Sequence, residues 1–131
     1  METLLERMTR IVGILDAAPL VYGNEYDLQA GIHHALKQAG FNVTREVVLS
    51  YGSPNRIDLF LHANIRMDPG IGIEVKVNSS LVDVTRQLTR YAGEASIAGL
   101  ILVTTLAKHH HIPYELAGKP VRLVSLVGAG L

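Results

Sequence analysis

A chain of 131 residues with 48% hydrophobic composition is the length of one domain and can build its core without staples. It has no cysteine, which excludes disulfides, thiolate metal sites and a cysteine nucleophile. Its 12 basic and 12 acidic residues cancel, so no bulk charge argues for nucleic acid, and any such partner must be held by a local patch.

No apolar run reaches the roughly 20 residues that span a bilayer. The start, Met1-Glu2-Thr3-Leu4-Leu5-Glu6-Arg7, does not read as a signal peptide. The expectation is a soluble cytoplasmic protein with no membrane partner.

Residues 2–16 place Leu4, Leu5, Met8, Ile11, Val12 and Leu15 at helical spacing, with Glu6, Arg7 and Arg10 on other faces. This amphipathic helix can pack on its own core or on a second copy, so a homodimer is one expectation. Ala17-Ala18-Pro19 breaks it. Asn24 is an N-cap for a second helix, about Glu25 to Gln38, that ends at Gly40 in a left-handed conformation. Glu25 and Asp27 fall in its first turn, where carboxylates favour the helix dipole. His33 and His34 lie mid-helix and read as structural or surface residues.

Phe41 to Ser50 reads as a strand with Arg45 and Glu46 inside it, and Tyr51 to Asn55 as a turn. Arg56-Ile57-Asp58-Leu59-Phe60-Leu61 is the next strand, Asn64 to Gly70 a turn, and Gly72-Ile73-Glu74-Val75-Lys76-Val77 the third strand of an antiparallel meander. Asn78-Ser79-Ser80 is rich in capping residues, and Val82 to Ala95 returns to helical period. The apolar run Gly99 to Thr105 has the pattern of a strand buried on both faces, parallel to an earlier one after a crossover helix. Lys108 and His109-His110-His111 begin a loop, solvated and near the substrate groove, since consecutive histidines cannot all face one ion. Val121 to Val127 is a last strand before a Gly-rich tail.

Asp58, Glu74 and Lys76 stand where a buried sheet expects apolar residues. Burying ions there costs several kcal/mol each unless they are paired or hold a metal. Glu74 and Lys76 share a face, Val75 points into the opposite layer, and Asp58 comes from the neighbouring strand. Two carboxylates with the Val75 carbonyl make an oxygen cage for a hard cation, Mg²⁺ first. In that reading the cation polarises a phosphodiester and lowers the pKa of a bound water, while Lys76 orients the water or stabilises charge. The bland alternative is a salt-bridge network on a half-exposed sheet. Arg86 and Arg90, spaced i, i+4 beside the Gln87 stripe, together with Arg45 and Arg56, are candidate phosphate contacts or ordinary surface cations.

Arg56-Ile57-Asp58 followed by Glu74-Val75-Lys76 resembles the motif of the PD-(D/E)xK nuclease superfamily, with Ile57 where that motif has proline. Gln87-Leu88-Thr89-Arg90-Tyr91 resembles the Gln-x-x-x-Tyr motif of its RecB-like and lambda-exonuclease-like branch, and Glu25 with Gly40-Phe41 is similar to archaeal Holliday junction resolvases. The resemblance implies an α/β fold with a restriction-endonuclease-like core, a mixed central sheet flanked by helices in the order αβββαβ. That gives one nuclease-like domain over 1–131, with an extra N-terminal helix at 1–18, the core at 24–105 and a C-terminal loop and strand at 106–131. It further implies metal ligation by Asp58, Glu74 and the Val75 carbonyl, with Mg²⁺ or Mn²⁺ as cofactor, catalysis by Lys76, Gln87 positioning Lys76 or the scissile phosphate, and Tyr91 in support. Glu25 is the preferred additional acid and Glu46 the alternative, a choice that spacing leaves open. The implied activity is Mg²⁺-dependent hydrolysis of phosphodiester bonds in DNA, with endonuclease and exonuclease action both open. A protein partner or nucleic-acid shape would supply specificity. The rival readings are a non-catalytic nucleic-acid-binding or assembly module, and a branch-specific resolvase.

Overall fold

The computed structural model describes residues 1–126. Helix α1 spans Leu4–Ala17 and begins with a reciprocal cap that links Thr3 and Glu6, each side chain accepting the other's backbone N–H at 3.1 Å. Its stripe of Met8, Ile11 and Leu15 is wholly buried against the chain's own sheet and its second helix. The surface that suggested a second copy is therefore satisfied within the chain. Gly99 makes the close approach possible, because a Cβ there would sit 2.7 Å from Met8 Sδ.

Helix α2 spans Glu25–Gln38. Asn24 caps it by accepting from Asp27 N at 2.8 Å, and Gly40 ends it at φ +91, as the sequence indicates. Three strands follow, β1 (Val43–Val48), β2 (Arg56–Leu61) and β3 (Gly70–Lys76), paired antiparallel in order. Helix α3, Leu81–Ala92, starts at the Ser80 cap and crosses to β4 (Ile97–Thr104), which lies parallel to β3. β6 (Lys119–Ser125) is parallel to β4, and the two-residue β5 (Glu115–Leu116) pairs antiparallel with β6. Over the described residues the protein is thus α/β, with a mixed six-stranded sheet ordered β1-β2-β3-β4-β6-β5 and three α-helices.

Each face of the sheet carries its own core. Leu59, Leu61, Ile71, Ile73, Val75, Ile101 and Val103 pack with α1 and α2. Phe60, Leu100 and Leu102 pack with α3 through Val84, Leu88, Tyr91 and Ala92. This two-sided burial explains why β4 reads as a continuous apolar run and why Glu74 and Lys76 stand out in β3. No helix among the described residues is long and apolar enough to cross a membrane.

Three expectations need correction. The third helix stops at Ala92 rather than Ala95, because the chain turns at Gly93 and uses Glu94 as an anchor for another loop. Glu94 accepts from Ser50 Oγ (2.9 Å), Ser53 Oγ (2.7 Å) and Asn55 Nδ2 (2.8 Å), tying the β1–β2 turn to the end of α3. The histidine run is not a solvated loop. Residues Ala107–His111 form a 3₁₀ turn in which His109 is fully buried. Its Nε2 donates to the Ser79 carbonyl (2.9 Å) and its Nδ1 meets Thr104 Oγ1 (2.6 Å), so it clasps the segment before α3 to the end of β4. The last strand runs from Lys119 to Ser125, and its expected end at Val127 and the Gly-rich tail lie outside the described residues.

Candidate functional site

The ladder between β2 and β3 ends at the Leu59–Ile73 pair. Beyond it the strands are joined by side chains. Asp58 Oδ2 accepts from Val75 N at 2.8 Å, and Glu74 Oε1 accepts from Asp58 N at 3.3 Å. Glu74 Oε2 lies 3.2 Å from Lys76 Nζ, so the two residues share a face as their spacing requires. Val75 is buried in the α1 and α2 core on the other side. The Lys76 carbonyl accepts from Thr105 N, next to β4, so the adjacent Val75 turns its N–H and carbonyl toward β2 and the acids. The set read from the sequence as one cluster is one cluster in the fold.

These groups line a cleft of about 710 Å³, with Glu25, Tyr26 and Gln29 from α2, Glu46 and Val48 from β1, Pro54 and Arg56, and Gln87, Arg90 and Tyr91 from α3. Four acids face three cations in its walls. The excess of negative charge has consequences. Burial first, then the Asp58 carboxylate beside it, pushes Glu74 up to about 8. Asp58 is raised by burial, against the lowering effect of the Val75 N–H. Glu25 is also raised, by burial, and feels both Lys76 and Asp58.

The two candidates for an additional acid differ in their engagements. Glu46 is held by Arg56 Nε at 3.2 Å and by Gln29 Nε2 at 3.3 Å. It also sits at φ 55, a left-handed conformation unusual for a non-glycine residue and costing about 1–3 kcal/mol, opposite Asp58 where the β1–β2 pairing skips a step. The Glu25 carboxylate has no hydrogen bond or ion pair among the described residues and feels Lys76 and Asp58 only through space. Among those residues no three His, Asp or Glu side chains are grouped as a ready metal cage. The oxygens that could hold a cation are the two carboxylates of Asp58 and Glu74 with the Val75 carbonyl. That suits Mg²⁺, which is commonly held by one or two carboxylates and keeps several waters.

Helix α3 brings Gln87, Arg90 and Tyr91 to the cleft. Gln87 Nε2 donates to Tyr91 Oη at 2.8 Å, and Tyr91 Oη donates to the Arg56 carbonyl at 3.0 Å, so this pair braces β2 and does not touch Lys76. Burial, followed by the Glu74 charge, pushes the Tyr91 phenol up to about 12, which keeps it a donor. Arg90 and Arg56 line the cleft. Arg86 turns to a different, apolar groove and sits 3.9 Å from Asp83. Arg45 lies over the Tyr26 ring, 4.9 Å from its centroid, and donates to Gln29 Oε1 at 2.8 Å.

Sequence reasoning missed Tyr26 and Gln29. Gln29 is only 5% exposed, and a buried glutamine on a helix stripe is the one signal that pointed to it. Comparisons of the chain with protein-family models, with curated proteins and with solved structures find no match.

Proposed function

We propose that this chain is a Mg²⁺-dependent nuclease that hydrolyses phosphodiester bonds in DNA, built on a restriction-endonuclease-like core. The observation that carries the proposal is the joint placement of Asp58, Glu74 and Lys76 on a polar cleft, with the half-buried Asp58 and the buried Glu74 carboxylates side by side and Lys76 paired to Glu74. Unbalanced buried negative charge is costly, and a site that retains it is suited to a cation. The resemblance of the Asp58, Glu74-Val75-Lys76 and Gln87 to Tyr91 segments to the PD-(D/E)xK pattern supports the same reading.

Asp58, Glu74 and the Val75 carbonyl would hold the cation, with Glu25 the preferred further acid because Glu46 is already engaged by Arg56. When bound, the cation supplies Lewis-acid stabilisation of charge on the phosphate. Lys76 places its ammonium beside the same oxygens and stabilises the charge that develops during attack. Arg56 and Arg90 reach the phosphate backbone from two walls. Tyr91, itself held by Gln87, donates to the Arg56 carbonyl and so fixes the strand that carries Asp58.

Incubation of supercoiled and linear DNA with the protein and Mg²⁺ or Mn²⁺ tests this. Cleavage that depends on the metal and is lost in Lys76→Ala is the expected result. A second reading has its own observation: both acids also replace ladder hydrogen bonds between β2 and β3, a structural task that a nucleic-acid-binding module would retain. Metal-dependent cleavage absent from every DNA substrate, with DNA still bound, favours that module.

A further inference from the structure

Tyr26 is 70% exposed, yet it lies in the wall of the same cleft as Asp58, Glu74 and Lys76, one residue from Glu25. One face of its ring is covered by the Arg45 guanidinium. That arginine is not loose: its Nε is fixed by Gln29 Oε1, and Gln29, itself buried, is fixed by Glu46. The network continues to Arg56. A chain of polar contacts thus holds an aromatic ring in place while leaving its surface to solvent. Val48, 52% exposed, and Pro54 add apolar surface to the same cleft.

Nothing in the hydrolytic set needs this ring. A duplex keeps the faces of its bases stacked on one another and offers a protein only their edges and its backbone. An unpaired base offers its face, and an aromatic side chain backed by a cation is the usual platform for it.

We propose that Tyr26, held by Arg45, is a stacking platform for an unpaired nucleobase. The substrate class of the cleft is then single-stranded DNA, or a strand with an unpaired base beside the scissile phosphate. This rests on the hydrolase reading above and specifies its substrate. The platform carries no sequence preference, because every base has a face to stack. It lies in the cleft with the reactive set, so the stacked base belongs to a nucleotide close to the bond that is cut.

The test uses a 12-nucleotide single strand with one 2-aminopurine, a base whose fluorescence falls on stacking, and the matching duplex. Both are titrated in magnesium buffer with full-length protein in the Lys76→Ala background, which keeps the DNA intact. Tyr26→Ala is expected to weaken single-strand binding about 5- to 100-fold and to abolish the quench, with duplex affinity changed by less than about threefold. Tyr26→Trp is expected to keep both affinity and quench, which separates stacking from loss of fold. The proposal is overturned if Tyr26→Ala leaves single-strand affinity within about twofold, if it weakens strand and duplex equally, or if neither DNA binds. Cleavage assays separate this proposal from the one it rests on. A wild type that cleaves nothing but binds single strands through Tyr26 defeats the hydrolase reading and keeps the platform. A wild type that cleaves without dependence on Tyr26 defeats the platform alone.

Discussion

Asp58 and Val75 are joined by a hydrogen bond of 2.8 Å from the Val75 backbone N–H to the Asp58 carboxylate, at the point where the β2–β3 ladder has ended. One side chain therefore does two things: it satisfies a backbone donor of β3 and it lines the cleft. The two roles separate by mutation. Asp58→Asn keeps an acceptor for Val75 N, and its stability in urea is expected within about 1 kcal/mol of wild type, whereas Asp58→Ala leaves that donor unpaired and loses about 1–3 kcal/mol. Both variants are expected to lose metal-dependent cleavage.

The raised acids make a pH prediction of definite sign. Glu74, at about 8 in the fold and near 4.5 when exposed, binds its proton more tightly folded than unfolded, as do Asp58 and Glu25 to their own extents. Their stabilising contribution is complete below the unfolded values and is lost as pH rises toward about 8. Glu94 behaves oppositely: hydrogen bonds from Ser53 and Asn55 lower it, so its contribution is lost only as pH falls below its unfolded value of 4.5. Metal-free protein is therefore expected to show a urea midpoint that declines between about pH 5 and pH 8, and saturating Mg²⁺ to restore it increasingly as pH rises. A midpoint that is flat or climbs over that range contradicts the assignment of buried, proton-holding carboxylates.

His109 is the hidden fastener of α3. Its two ring nitrogens join Thr104 to the Ser79 carbonyl, one residue before the Ser80 cap of the helix that carries Gln87, Arg90 and Tyr91. His109→Ala removes both contacts and leaves a void, with an expected loss of about 2–4 kcal/mol. Amide exchange should quicken first at residues 81–84, the opening turn of α3, because that end loses its tie. Uniform acceleration across the sheet would place the effect elsewhere.

The sequence made the helices and strands legible because their signals are local: helical spacing in α1, the Asn24 cap and Gly40 stop of α2, and the apolar run in β4. The acids of the cleft were legible for the opposite reason, as charges breaking an apolar pattern. What stayed hidden was non-local. Glu94 reaches Ser53 across 41 positions and His109 reaches Ser79 across 30, and neither leaves a periodic trace. The three histidines looked alike in sequence, yet packing buried His109 and left its two neighbours exposed. β5 is two residues long, too short for any alternation to register. The resemblance implies that Gln87 positions Lys76 or the scissile phosphate; in the fold it lines the cleft and its amide donates to Tyr91, one helical turn away.

The most direct measurement is a Mn²⁺-soaked crystal examined by anomalous scattering at the manganese edge. The expected result is a peak bridging the carboxylates of Asp58 and Glu74, about 2.0–2.3 Å from their oxygens and within reach of the Val75 carbonyl, that disappears in Glu74→Gln. Clear density for both acids, still hydrogen-bonded to the β2 and β3 backbone with no peak between them at millimolar Mn²⁺, would contradict it.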